Sequence, residues 1–411
     1  SGNLLNELDF SRFTHLFGLC HLTIGSAFYR KLHANLLQNY SNLNRFTIEN
    51  NLNNYYLNST LRLSEIESGA FNGLVNLKHL VITCRSSPQC LDFNYYQKIK
   101  SLESLSVYFF EKGSFEIWKS SVALNLKNFK ISGANFNTLS SFMFNSSLKS
   151  LRKLWLSSCR IKVIEENAFY GLTELEHLDL SSNNIYKIDM GAFNGLVNLQ
   201  SLDLKSSQLS DTHVTTILEH NDLIKLSSLD ISSNLLANIK RGLFRNVLNL
   251  KKLKLVQPTL YLIERCAFEN LNGIELIDLF DRYLNTMRIE KESFGCFEIV
   301  PKKTEFYFSQ IYINSTSDLD EVNFCFLIST SSTRLVSKIN EIYFYETMHL
   351  KNKSLPQNQH DIELTCFWML HLSMRDILYD FGDASNADQF LSDHCMQINL
   401  EEMNLYLPNS N

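Results

Sequence analysis

Proline and glycine are scarce in this 411-residue chain, with 5 and 14 copies, below their usual shares of about 5% and 7%. That excludes a collagen-like repeat and a Pro/Gly-rich disordered chain. No run of about 18 apolar residues is present, so nothing reads as a membrane-spanning helix. The opening SGNLLNELDF has neither an initiator Met nor the basic-then-apolar plan of a secretory signal, and reads as a fragment or a processed form. An excess of basic charge is also missing. The 38 Lys and Arg against 43 Asp and Glu leave a net charge of -5, which argues against nucleic acid or an anionic membrane surface as partner. Strings of the HExxH, GxSxG, Walker or GxGxxG type are absent, so neither an enzyme nor a cofactor is expected. His360, Cys366, His371, His394 and Cys395 match no zinc-ligand spacing, and no metal is expected either.

What is present is a repeat. AFNGLVNL occurs at 70–77 and again at 192–199, and the chain keeps returning to a Leu-x-x-Leu-x-Leu spacing. Leu77, Leu102, Leu126, Leu151, Leu175, Leu199, Leu226, Leu250 and Ile274 each open such a segment, mostly 24 or 25 residues apart. A register held this long makes a stacked solenoid, with function sought on a surface rather than in a cleft.

In LEHLDLSSNNIYKIDMGAFNGLVN the first six residues alternate like a half-buried strand, Leu175, Leu178 and Leu180 facing one way and His177 and Asp179 the other. Asn183 follows where the strand turns, placed to satisfy backbone groups that stacking would bury; Asn234 stands likewise. Phe71, Phe169, Phe193, Phe244, Phe268 and Phe294 hold one place in their repeats and predict a stacked phenylalanine spine. Ser207 and Pro258 replace the Asn, while Arg85, Phe110 and Arg282 stand where it would be. The stack is therefore expected to be least regular around Leu77 to Phe136 and after Pro258. Leu19, Leu22 and Ile24, then Leu43, Phe46 and Ile48 with Asn51, extend the pattern upstream, and Ile339, Ile342 and Phe344 form a candidate last strand. DTHVTTILEHND reads as a helix capped by Asp211 with Val214, Ile217 and Leu218 on its buried face.

The nine cysteines leave at least one unpaired. Cys84 and Cys90 bracket a short polar segment, and Cys366 and Cys395 bracket the last folded-looking stretch; both read as disulfides of an oxidising compartment, with reduced buried thiols as the alternative. The sequons at Asn39, Asn58, Asn145, Asn314 and Asn352 are glycosylation candidates, though an Asn- and Ser-rich chain holds several by chance.

Endings such as IEENAFYGLTEL, IDMGAFNGLVNL and IERCAFENLNGI resemble the extracellular typical-type leucine-rich repeats of Toll-type receptors, Slit-like and chondroadherin-like proteins. The resemblance implies an α/β fold, a curved horseshoe with a parallel concave sheet, and a protein-binding role. It also implies that Cys159 takes the Asn position of the consensus as a buried structural thiol. The expected organisation is a solenoid of about eleven repeats over 1–298, then a degenerate repeat and a C-terminal cap over 299–411. ELTCFWMLHL with Cys395 resembles a cysteine-flanked cap but lacks the close cysteine pair of the common extracellular one.

The strand frame gathers one candidate partner site on the concave face. Lys127 and Lys130 lie beside Arg152, Lys153 and Trp155, with Glu176, His177 and Asp179 one strand further on. An accessible tryptophan between basic and acidic strips suits a protein epitope. The plainer alternative is lateral pairing of Arg152 with Glu176 and a Trp155 lying flat over its neighbours. Asp179, Asp203 and Asp230 form an acidic column read as solvated strand residues rather than a calcium site. These features favour an extracellular receptor region or secreted adhesion protein with a protein ligand or receptor as partner, and a homodimer as one form. An intracellular scaffold and a self-associating matrix protein are the alternatives.

Overall fold

The computed structural model describes residues 18–25, 31–49, 63–84, 88–109, 124–144, 148–219, 221–271, 273–279, 288–289 and 305–308. It divides into two compact units, Ser1–Leu209 with His220–Leu226 and Ser210–Glu219 with Ser227–Asn411. The expected cap, Cys366, Cys395, Phe294, the strand around Ile342, and Asn58, Asn145, Asn314 and Asn352 lie outside the described residues.

The first unit is built on eight parallel strands: β1 (His21–Gly25), β2 (Arg45–Glu49), β3 (His79–Cys84), β4 (Ser104–Phe109), β5 (Asn128–Ser132), β6 (Lys153–Trp155), β7 (His177–Asp179) and β8 (Ser201–Asp203). Each pairs in register with the next, Leu154 beside Phe129 and Leu178, so every strand repeats the same burial alternation. Leu175, Leu178 and Leu180 are buried while His177 and Asp179 are half-buried on the open side. The alternation forces this arrangement, because one repeat cannot cover its own apolar face and needs a neighbour on each side. In the second unit β9 (Ser228–Asp230), β10 (Lys252–Lys254), β11 (Leu276–Leu279) and β12 (Glu305–Phe308) follow the same plan. This is a leucine-rich-repeat solenoid.

On the returning side the chain turns through positive φ at equivalent places, Asn35, Gly69, Asn167, Gly191 and Gly242, where Asn and Gly are the residues that meet least steric resistance. The spine packs just inside. Phe169 lies between Phe144 and Phe193, with ring centroids 5.7 and 5.5 Å away, and Phe244 stacks on Phe268 at 5.9 Å. Tyr96 fills the spine place of its own repeat, 5.4 Å from Phe71, its hydroxyl donating to the Cys90 carbonyl at 2.7 Å. A buried tyrosine is stable there because its polar end finds that partner.

Between Leu77 and Phe136, where residues 85–87 and 110–123 lie outside the described residues, β3 and β4 run six residues each, the longest strands among the described residues. Where no Asn closes the turn, the backbone instead continues its ladder, pairing Thr83 with Tyr108 and Cys84 with Phe109. Two expectations are corrected. The cap of α1 (Asp211–Leu218) is Ser210, not Asp211. The Asp211 carboxylate is engaged elsewhere, accepting from the Ala237 and Asn238 amides at 2.9 and 3.3 Å and tying the helix to the next repeat. The second correction concerns the ladder itself.

Asn183 is buried and saturated. Its Oδ1 accepts from the Cys159 and Ile161 amides at 3.0 and 3.1 Å, and its Nδ2 donates to the Leu156 and Leu180 carbonyls at 3.0 and 2.7 Å. Shorter side chains reproduce one link of this pattern: Cys159 Sγ reaches the Ile131 carbonyl at 3.4 Å and Ser207 Oγ the Leu180 carbonyl at 2.9 Å. Burial pushes the Cys159 thiol up to about 12, so it is inert as a nucleophile. In the second unit Asn234 donates to the Ile231 carbonyl at 2.8 Å, and the next rung is Gln257, not Pro258. Gln257 accepts from the Asn234 amide at 2.8 Å and donates to the Ile231 carbonyl. Proline has no donor to offer; a glutamine one position earlier has the extra methylene needed to reach the same groups.

Candidate functional site

The eight residues singled out from sequence come together on the open face of β5, β6 and β7. Register sets Lys130, Trp155 and Asp179 side by side in one row, with Lys153 and His177 adjacent in another. Lys127, Arg152 and Glu176 sit one position before their strands, each linked to the last by a backbone bond of 2.8 Å. None of the eight is buried, because the apolar halves of these strands point the other way.

Part of the expected lateral pairing is present. Arg152 meets Glu176 at 3.4 Å and Lys127 meets Glu103 at 3.0 Å, which holds the Glu103 carboxyl below the usual carboxylate range. Such solvent-screened pairs add little to stability, and their main effect is to orient the side chains. Lys130 Nζ stands 5.4 Å from the centre of the Tyr108 ring. Tyr108 was overlooked in the sequence, although the alternation of LSVYF puts it on the open face.

The aspartate column has a structural task. One carboxylate oxygen of Asp179 accepts from the Ser181 amide at 2.8 Å, Asp203 does the same with Lys205 at 2.9 Å, and Asp230 with Ser232 at 3.0 Å. Each closes the turn after its strand. Among the described residues no group of three or more His, Cys, Asp or Glu could hold a metal.

Two imidazoles on this sheet are shifted, His177 within the site and His79 on β3. His177 is held below its ordinary 6.5 by partial burial and then by Lys153, and His79 by partial burial and then by Arg45. Folding therefore disfavours the protonated rings. Their contribution to stability is complete above about pH 6.5 and falls as the pH drops from there through the depressed values. Thermal unfolding followed from pH 7.5 to 5 should show this decline, and His79→Gln with His177→Gln should flatten it; an unchanged slope in the double variant contradicts the assignment.

Elsewhere the structure joins Cys84 and Cys90, leaves Cys20 and Cys159 as thiols, and has Cys266 in a disulfide. Asn39 is exposed in a turn. No helix among the described residues is long and apolar enough to cross a membrane.

Family models agree with the architecture. A leucine rich repeat model matches 124–185 and 149–209, and a BspA type leucine rich repeat region of six copies matches 219–372. No curated protein matches the sequence. Among solved structures, the TLR13–ssRNA13 complex is similar at 19% identity and a TM-score of 0.54, over 74% of this chain and 49% of that one. This chain thus spans about half of that chain's length. Human 5T4, a trophoblast glycoprotein, gives 20% and 0.40 over 49% and 76%; Toll in the Drosophila Toll–Spatzle complex gives 17% and 0.45 over 72% and 43%. At these identities the likeness concerns the fold.

Proposed function

We propose that this chain, a leucine-rich-repeat protein, is a non-enzymatic recognition module that binds a protein partner on the open face of β5 to β7, as the extracellular region of a receptor or of a secreted adhesion protein. The observation that carries the reading is Trp155, a large side chain left half-exposed in the middle of a sheet face between Lys130 and Asp179. Tryptophan is costly to leave in water and is the residue type most enriched among binding anchors. The Cys84–Cys90 bond favours an oxidising, extracellular setting.

The TLR13 structure holds an RNA, which raises a nucleic acid as a second possibility. The face argues for protein, since Arg152 and Lys127 are engaged by carboxylates and Asp179 lies beside Trp155. A phosphate backbone rewards uncompensated cations.

With a partner found by screening the full chain against extracellular proteins, Trp155→Ala should weaken binding by at least about 2 kcal/mol, and Lys153→Glu should mainly slow association in low salt. Unchanged affinity in both folded variants would place the site elsewhere. Mass mapping of non-reduced secreted protein should return Cys84 joined to Cys90 and Cys366 joined to Cys395, with Cys159 a protected thiol; Cys366 and Cys395 as thiols would remove the extracellular cap.

A further inference from the structure

The open face of the first unit changes sign at Trp155. Over β2 to β6 its basic side chains are Arg45, Lys78, Lys127, Lys130, Arg152 and Lys153, and among the described side chains Glu103 is the one carboxylate facing them from those strands. Over β7 and β8 the order reverses, with Glu176, Asp179 and Asp203 against Lys205. The ion pairs of Lys127 with Glu103 and Arg152 with Glu176 run along the row before the strands. Among the described side chains no ion pair joins Lys130, which lies over the Tyr108 ring on one side of Trp155, to Asp179 on the other, one of whose carboxylate oxygens accepts from the Ser181 amide. Neighbouring strands are about 4.8 Å apart, so the change from cation to anion takes about 10 Å.

A uniform polyanion crossing this row would meet Asp179 and Asp203, and a uniform polycation would meet Lys130 and Lys153; either juxtaposition is unfavourable. We propose that the partner presents a protein segment with segregated charges, carboxylates over Lys130 and Lys153 and a cation over Asp179, with an apolar side chain between them seated on Trp155. This rests on the open face being the binding site.

The probe is a displayed library of random linear peptides, selected on the full chain at moderate salt and then titrated as synthetic peptides. Enriched peptides should carry acidic and basic residues in separate blocks on either side of an aliphatic or aromatic residue. Their affinity should fall at least about tenfold with Lys130→Glu plus Lys153→Glu, and similarly with Asp179→Lys. Lys130 and Lys153 hold no turn, so their variants should keep the parent's urea midpoint; Asp179→Lys gives up the bond from the Ser181 amide and is compared at temperatures where its folded fraction matches the parent's. Enrichment of peptides of one sign, or of interspersed charges, would overturn the proposal, as would tight binding of a single-stranded oligonucleotide that Lys130→Glu abolishes. If Trp155→Ala removes peptide binding while the charge variants do not, the charge assignment fails and the face stands. If no substitution on the face matters, both fail.

Discussion

Asn183→Ala should lower the folding stability by about 3–5 kcal/mol, near the upper end for a single polar substitution. Four backbone groups, the Cys159 and Ile161 amides and the Leu156 and Leu180 carbonyls, lose their partner inside the stack. Each buried group left unsatisfied costs about 1–3 kcal/mol, discounted because the turn can relax and admit water. Asn183→Asp separates the terms: it keeps an acceptor for the two amides but sets a carboxylate against two carbonyls, and should be no better tolerated. Urea midpoints at constant slope measure both. A loss below about 1 kcal/mol for the alanine variant would mean that the turn is held by something other than this side chain.

Phe169→Ala should cost about 3–5 kcal/mol by a different route. The ring is fully buried between Phe144 and Phe193, so truncation opens a cavity that neither neighbour can fill without shifting its own repeat. Phe169→Leu, which leaves less empty volume, should recover more than half of the loss. Equal losses for the two would point to backbone rearrangement rather than a cavity. Neither change touches the open face, so binding by the folded fraction should be that of the parent.

The parts of this architecture that obey a period were legible in the sequence. Anchor spacing placed Leu154 beside Leu178, and the alternation after each anchor put Lys130, Trp155 and Asp179 on one face. The lateral neighbours Arg152 and Glu176 follow from the same frame. What was missed breaks the frame or depends on geometry across it. Gln257 does the work expected of the position held by Pro258, because side-chain length compensates a shift of one residue. Tyr96 hides in a spine of phenylalanines because its hydroxyl argues for the surface until the Cys90 carbonyl is seen to accept from it. The cation over Tyr108 involves residues on different strands, and a linear string does not show which side chains lean together.

The central claim, that recognition takes place on the open face around Trp155, is tested most directly by side-chain oxidation footprinting of the full chain with and without its partner. Trp155 should become protected, while Met190 and Tyr186, 81% and 61% exposed and off that face, keep their rates. Protection of Met190 and Tyr186 with Trp155 unchanged would contradict the account.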